Sequence, residues 1–274
     1  MRQAADALTA IFARFNIDTR LPGFYDSPQF RAEEARNPQF LSLYNDFVVT
    51  RTYDAEYRDG VRDRVTKLAQ FMSRELHADG RLGACVDASA VAMRILESEG
   101  LWCCMFKGGL RIDFPPATNL RAQFFFPLMR PDNPAVAGHA WLVAPPFSIV
   151  DLTLSGQPFR SDEQRRLLPP VVLVENAERA RPATLTELAE PELLELYVRH
   201  LGRRPTFDDV VPPDVRRVLE NHPPAQVTIA DVVLKYYAVS ATAPDAPLAE
   251  MRNLCLSRKL PPQLANDFAA EFPR

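Results

Sequence analysis

Glycine is scarce in this sequence, and its scarcity excludes one common kind of binding site. The chain of 274 residues contains 10 glycines and 25 prolines, which reverses the usual order of abundance of these residue types. It has neither the G-x-G-x-x-G fingerprint nor a Walker-type loop, the two glycine-rich patterns that hold nucleotide phosphates. The sequence therefore predicts no nucleotide cofactor, and no other motif in it indicates a cofactor.

A surplus of positive charge is also missing. The chain has 32 lysine and arginine residues against 35 aspartate and glutamate residues, which gives a formal net charge of -3. A protein that binds nucleic acid through the phosphates needs a basic field over its binding surface. We therefore expect no nucleic-acid partner.

Long apolar runs and a dense cysteine pattern are absent as well. No apolar stretch approaches the roughly 18 residues of a membrane-spanning helix, and residues 1–20 lack the apolar segment of a secretion signal. The cysteines, Cys85, Cys103, Cys104 and Cys255, show no C-x-x-C spacing, which is usual for free thiols in a reducing compartment. We expect a cytoplasmic protein without a membrane partner, with export by a dedicated machinery as the alternative.

The apolar periodicity divides the chain into three segments. The composition, 47% hydrophobic and 24% charged, is that of a globular protein, and the length suits one large domain. The first segment, 1–80, is predicted to be helical, with helices at 4–15 and 54–77. In the second, 81–175, a helix is followed by five or six short, mostly antiparallel strands, of which 101–106 and 110–114 are the first two. The third segment, 176–274, is predicted to be helical again, at residues 185–201, 214–219, 229–239, 248–256 and 263–272. Helices, a compact antiparallel sheet and further helices predict an α+β fold in one compact unit.

Cys85 lies at the predicted start of a helix. The helix is indicated by apolar residues that recur on one face, at Ala88, Val91, Ala92, Ile95 and Leu96. Free amide groups and the positive end of the helix dipole favour an anion there, so we expect the pKa of Cys85 to be lowered. The N–H of Cys85 is placed to donate to an oxyanion. The competing interpretation is a small buried hydrophobe, which we favour for Cys103, Cys104 and Cys255 because their neighbours are apolar.

His139 and Asp151 lie on two strands predicted to form a hairpin. The strands, 138–144 and 147–154, are joined by two prolines. A tight turn centred on the first proline places His139 opposite Asp151, on the same face of the sheet. An aspartate in that position fixes one imidazole nitrogen and leaves the other free to act as a base. A register shifted by one residue puts the two side chains on opposite faces.

Two other interpretations compete for this pair. A half-buried histidine near a strand end often makes one satisfied hydrogen bond and has no further role. Asp151, however, lies inside an apolar run, and a buried carboxylate needs a nearby donor, for which His139 is the nearest candidate. A metal site formed by His139, Cys85 and one of the two adjacent cysteines lacks the short paired spacings of zinc ligands, so no metal site is predicted.

The order of these residues resembles the transglutaminase-like superfamily of papain-type thiol enzymes. The segment GACVDASAVAMRILESEG opens a helix with Cys85, and GHAW with His139 and VDLT with Asp151 follow on strands. Transglutaminases, bacterial cysteine peptidases, deamidases and, more distantly, arylamine N-acetyltransferases share the order Cys, His, Asp in a helix-then-sheet context. The resemblance covers residues 81–154. It implies a papain/transglutaminase-like core of a nucleophile-bearing helix on an antiparallel sheet, with helical flanks.

The function that this resemblance implies is cysteine-dependent acyl transfer by a triad. Cys85 would be the nucleophile, His139 the general base and later acid, and Asp151 the group that orients the imidazole. The substrate would be a peptide, a protein or a small acyl compound, and a peptidase, amidase or deamidase is expected ahead of a transglutaminase or another acyltransferase. The alternatives are an inactive binding or scaffold protein, and an exported effector that acts on a partner protein.

Two positions depart from the papain-like pattern, and one of them is Val86, which stands where a tryptophan follows the cysteine in those proteases. Those proteases carry a glutamine six residues before the cysteine, and its side chain completes the oxyanion hole. This chain has Asp79 at that position, so the sequence does not identify a second oxyanion donor.

Overall fold

Helices surround an antiparallel sheet in the computed structural model, which describes residues 2–129 and 138–274. The α-helices of this part of the chain are α1 (Arg2–Arg14), α2 (Pro28–Arg36), α3 (Phe40–Thr50), α4 (Ala55–Asp79), α5 (Cys85–Ser98), α6 (Asp162–Arg166), α7 (Leu185–Leu188), α8 (Pro191–Leu201), α9 (Phe207–Val210), α10 (Pro213–Asn221) and α11 (Pro261–Glu271). The strands are β1 (Cys104–Asp113), β2 (Gln123–Phe125), β3 (His139–Ala144), β4 (Phe147–Asp151), β5 (Val172–Val174), β6 (Glu178–Arg179), β7 (Ala225–Ile229) and β8 (Val232–Thr242). The molecule therefore combines α-helices with an antiparallel sheet, as the sequence predicts at this level.

The order of the strands places β1 and β8, the first and last strands of the sheet in the sequence, next to each other. All the pairings between the described strands are antiparallel. Across the sheet the order is β5-β4-β3-β1-β8-β7-β6, and β2 pairs with β1 outside that order. The central pair, β1 and β8, joins the first strand of the chain to the last one described. The last third of the sequence thus supplies a strand to the middle of the sheet.

The predicted helix at 229–239 is wrong, because these residues form the hairpin of β7 and β8. Ile229 pairs with Val232 across a two-residue turn, whose residues Ala230 and Asp231 have φ angles of 47° and 67°. Positive φ at both central residues is the turn geometry that matches the twist of antiparallel strands. The β-branched and aromatic residues of β8 favour a strand, and its pairing on both sides outweighs the local helical period.

Two apolar runs predicted as separate strands, 101–106 and 110–114, belong to the single strand β1. The strand continues through Gly108, and β8 approaches β1 closely at this residue. A Cβ atom on Gly108 would lie 1.9 Å from the carbonyl oxygen of Tyr237, so a larger residue would push the two central strands apart. Glycine here permits close strand packing, whereas the sequence pattern indicated a break.

The remaining differences concern helix boundaries. The predicted helix at 185–201 is divided into α7 and α8 by Pro191, which cannot continue the hydrogen-bond ladder of a preceding helix. Of the predicted helix at 248–256, one short 3-10 turn at Leu248–Glu250 forms. The helices predicted at 4–15, 54–77, 214–219 and 263–272 are confirmed as α1, α4, α10 and α11.

A single large hydrophobic core holds α5 against the sheet. Its buried residues include Phe12, Leu68, Leu142 and Phe268, so all three predicted segments of the chain contribute to it. Helix α5 packs on β3 and β1, and the apolar stripe predicted for it, from Ala88 to Leu96, is buried. This packing fixes the start of α5 relative to the strand that carries His139.

Candidate active site

Helix α5 begins at Cys85. Ala84 is the N-cap, so Cys85 occupies the first helical position, as the sequence predicts. Amide groups in the first turn of a helix lack partners within the helix and carry the positive end of its dipole. The loop before the cysteine is fixed by the N–H of Gly83, which donates to the carbonyl of Gly156 at 2.8 Å. Cys85 is buried, with 3% of its surface exposed. The fold therefore holds its thiol at a place where an anion is favoured.

His139 and Asp151 lie on neighbouring strands and meet as predicted, but the register differs from the predicted one. The turn contains two residues, and one extra residue in β4 then shifts the pairing, so that the observed pairs are Ala144 with Phe147 and Leu142 with Val150. Such an extra residue is a β-bulge. When the second pairing is continued, Asp151 lies opposite Trp141, whose side chain shares a face with that of His139. His139 therefore reaches Asp151 diagonally.

The carboxylate of Asp151 is fully buried, and both of its oxygens have hydrogen-bond partners. Its Oδ2 lies 2.6 Å from Nε2 of His139 and accepts from the hydroxyl of Tyr236 at 3.0 Å. Its Oδ1 accepts from the backbone N–H of Thr153 at 3.0 Å and from the Thr153 hydroxyl at 3.4 Å. Burial opposes the charge, but the neighbouring imidazolium and these hydrogen bonds lower the pKa of Asp151. The carboxylate therefore stays ionised and holds the ring.

His139 connects this carboxylate to Cys85. Because Asp151 engages Nε2, the nitrogen left for the thiol is Nδ1. Burial by itself raises the pKa of Cys85, but the His139 ring and the backbone N–H of Ala140 lower it below the value of an ordinary thiol. Burial also opposes a charge on the ring, yet Asp151 and then Cys85 raise the pKa of His139. Both shifts favour a thiolate–imidazolium pair.

The contact between Cys85 and His139 is electrostatic more than it is a well-aligned hydrogen bond. No described atom makes a hydrogen bond of good geometry with Nδ1 of His139, although that atom is buried. Catalytic hydrogen bonds are often long or poorly aligned until a substrate is bound.

Sequence reasoning missed Tyr236, which completes the surroundings of Asp151. Tyr236 lies on β8, in the segment predicted to be helical, so nothing in that prediction brought it near the hairpin. Its ring also meets Trp141 edge to face at 5.2 Å, and Trp141 is stacked with His139 at 6.4 Å. The β-branched and aromatic residues of 232–239, three valines and two tyrosines, were the signal that could have identified a strand.

Gly138 allows β3 to approach β1 immediately before His139. A Cβ atom at Gly138 would lie 2.1 Å from the carbonyl oxygen of Gly108, and Gly108 is the residue that pairs with His139 across the two strands. Steric crowding therefore explains the glycine of the GHAW motif, because a side chain at this position would push His139 out of its pairing with β1.

The other cysteines divide into two kinds. Cys103 and Cys104 are fully buried, and burial raises the pKa of each thiol, so both are the inert hydrophobes that the sequence predicts. Cys255 was expected to be the same, but it is exposed. Its flanking leucines are buried, and the chain around it is irregular, so the apolar neighbours turn inward while the thiol faces outward.

The carboxylate of Asp79 is engaged by the backbone of another loop. Its Oδ1 accepts the backbone N–H of Ser257 at 2.6 Å, so it takes no part in an oxyanion site. In the described parts of the chain, no group of three or more His, Cys, Asp or Glu residues is arranged to hold a metal ion.

Two clefts reach the start of α5. The larger one, about 690 Å³, is lined by residues just before Cys85 and just after Asp151, among them Ala84 and Thr153. The smaller one, about 280 Å³, is lined by Val86, the residue after Cys85, and by residues of β1 and β8. The volume of the larger cleft is in the range of small-molecule sites.

Comparison of the chain with protein-family models, with curated proteins and with solved structures found no match. Within the residues that the structure describes, no helix has both the length and the apolar character needed to cross a membrane. The functional interpretation therefore depends on the site itself.

Proposed function

We propose that this chain is a cysteine-dependent acyl-transfer enzyme whose nucleophile is Cys85. The observation that carries this proposal is the buried series Cys85, His139 and Asp151, in which Cys85 begins a helix and Asp151 holds His139 at 2.6 Å. The pKa of each group is shifted toward its charged form, which agrees with this geometry. Buried ion pairs add little net stability, whereas an activated thiolate needs this arrangement. The order Cys, His, Asp and the helix-on-sheet context, which resemble transglutaminase-like enzymes, support the same function.

Acylation would use the thiolate–imidazolium pair directly. The sulfur of Cys85 attacks the carbonyl carbon of an amide or thioester, a C–S bond forms, and the carbonyl π electrons move to the oxygen. The backbone N–H of Cys85 donates to this oxyanion. When the oxyanion collapses, the bond to the leaving group breaks, and the His139 imidazolium gives its proton to the departing amine or thiolate.

Deacylation would return the site to its starting state. The neutral His139 ring takes a proton from water or an amine, which attacks the thioacyl carbon and releases the sulfur of Cys85. Asp151 keeps its charge and orients the ring in both steps. With water as acceptor the enzyme is a peptidase, amidase or deamidase, and with an amine it is a transglutaminase or another acyltransferase.

The test is acylation by an activated ester, 4-nitrophenyl acetate. We expect a burst of nitrophenol and, by peptide mapping, one acetyl group on Cys85. The Cys85→Ala variant should show neither, whereas Cys255→Ser, which removes the exposed thiol, should leave the burst unchanged. Acetylation confined to Cys255, or a burst that survives in Cys85→Ala, contradicts the proposal and favours the inactive-scaffold alternative.

A further inference from the structure

The larger cleft beside Cys85 has buried apolar residues and a cationic rim. Three of its lining residues are apolar and buried, namely Leu76, Ala84 and Leu152. Its cationic and titratable lining residues are Arg74, His77, Arg81 and Arg165. Among the described residues that line it there is no aspartate or glutamate, so an anion in this cleft meets no like charge on its walls.

Two of these guanidinium groups have donors to spare. Arg74 is held more tightly by a carboxylate, because Glu271 accepts from both of its terminal nitrogens, at 2.8 and 2.6 Å. Arg81 faces Asp87 at a long 3.5 Å. Arg165 contacts Asp162 through one terminal nitrogen at 3.1 Å, and its buried Nε donates to no described acceptor.

The cleft is coupled to the triad through the backbone. Ala84 lines it and directly precedes Cys85. Thr153 lines it as well and donates to Asp151, and Gly156 lines it while accepting the N–H of Gly83. A ligand in the cleft therefore lies against the two loops that position the nucleophile and the carboxylate.

We propose that this cleft binds the acyl part of the substrate and selects an acyl chain with an apolar body and an anionic end. The apolar residues contact the methylene groups, and Arg81 and Arg165 bind the anion, since guanidinium groups hold a carboxylate or phosphate oxygen pair well. This inference rests on the proposed function, because it makes the cleft the specificity site of acylation at Cys85.

Charge selectivity in acylation tests the inference. The 4-nitrophenyl esters of adipic acid, hexanoic acid and 6-aminohexanoic acid share one chain length and end in a carboxylate, a methyl and an ammonium group. We expect the adipoyl ester to acylate Cys85 at least about tenfold faster than the hexanoyl ester, and the aminohexanoyl ester to be slowest. Each rate is divided by the ester's rate of spontaneous hydrolysis.

Two variants and a matched control assign that selectivity to the cleft. Arg165→Gln and Arg81→Gln should each reduce the ratio of the adipoyl rate to the hexanoyl rate severalfold. Arg166→Gln removes the neighbouring exposed cation of α6, which is not among the residues lining the cleft, and should leave the preference intact. Acylation of Cys85 without a charge preference, or with one that both cleft variants retain, overturns the inference and leaves the proposed function standing.

Binding without chemistry separates the two proposals completely. In the Cys85→Ala variant, calorimetry with the anilides of adipic, 6-phosphonohexanoic and hexanoic acid measures the cleft alone. Tighter binding of an anionic anilide, weakened by Arg165→Gln, supports the inference even if no ester acylates the wild type, and comparison of the adipic with the phosphono compound distinguishes carboxylate from phosphate. Equal binding of all three overturns it.

Discussion

Asp151 holds His139 from a position diagonal to it on the next strand, with 2.6 Å between Oδ2 and Nε2. Because a two-residue turn alone would pair residues whose numbers have an odd sum, it would place the two side chains on opposite faces. The bulge in β4 restores the shared face. The contact between His139 and Asp151 therefore depends on one extra residue in a short hairpin.

A thiolate–imidazolium pair of Cys85 with His139, which the two pKa shifts favour, predicts that Cys85 reacts at a pH where ordinary thiols do not. In a Cys255→Ser background, alkylation by iodoacetamide should remain fast at pH 6, because a lowered pKa leaves more thiolate at that pH. His139→Ala removes the cation and should slow the reaction at pH 6 by more than about tenfold, because without the cation burial raises the pKa of the thiol above its ordinary value. Equal rates in the two proteins would refute the ion pair.

Asp151→Ala is expected to damage both folding and chemistry. The change leaves the donors of His139, Tyr236 and Thr153 without their buried acceptor, which costs about 3 kcal/mol of unfolding free energy. Urea unfolding measures the loss, and the alkylation rate at pH 6 reports the pair. Cys85→Ala, which deletes one buried sulfur, should cost about 1 kcal/mol. A reversed order of these two costs would show that Cys85 is chiefly a core residue.

Tyr236 is expected to act as a positioning residue for Asp151. Tyr236→Phe removes one hydrogen bond to the carboxylate, so we expect a loss of about 1 kcal/mol of stability and a slower alkylation of Cys85, by less than about tenfold. Tyr197→Phe, on helix α8, which buries no residue, serves as the control. If Tyr236→Phe lowers stability but leaves the pH dependence of alkylation untouched, its role is structural alone.

Glu97 predicts a pH-dependent stability outside the triad. Its side chain is 6% exposed near the end of α5, and burial, set against the charge of Arg94, raises its pKa to about 7. Between pH 5 and 7 the native state keeps this proton while the unfolded state loses it, so stability falls as pH rises, by about 1.4 kcal/mol per unit for this group. Glu97→Gln has no such proton to lose.

Urea unfolding of the wild type and Glu97→Gln at pH 5, 6 and 7 tests this. As the pH rises, the unfolding free energy of the wild type should fall relative to that of Glu97→Gln. A difference that does not change with pH would mean that Arg94, which lies 3.1 Å from Glu97, keeps the carboxyl ionised throughout the range.

The start of α5 and the strands around His139 and Asp151 follow from the sequence alone, whereas the face that the two side chains share depends on the bulge in β4, which the sequence did not predict. The reason is that helical and strand periodicity are local properties, carried by neighbours within a few residues. Local pattern also led to the error at 229–239, where a helical period of apolar residues is compatible with a strand once a partner strand is present.

Only the tertiary structure decided the contents of the site beyond its three predicted members. Tyr236 reaches Asp151 because β8 pairs with β1, and residues so far apart in sequence leave no local signal of their pairing. No local signal brings the cationic residues of the cleft together either, because Arg81 lies in the loop before α5 and Arg165 lies on α6. The sequence determines the chemical type of each side chain. Long-range packing of the sheet and its core determines which of these side chains share a cavity.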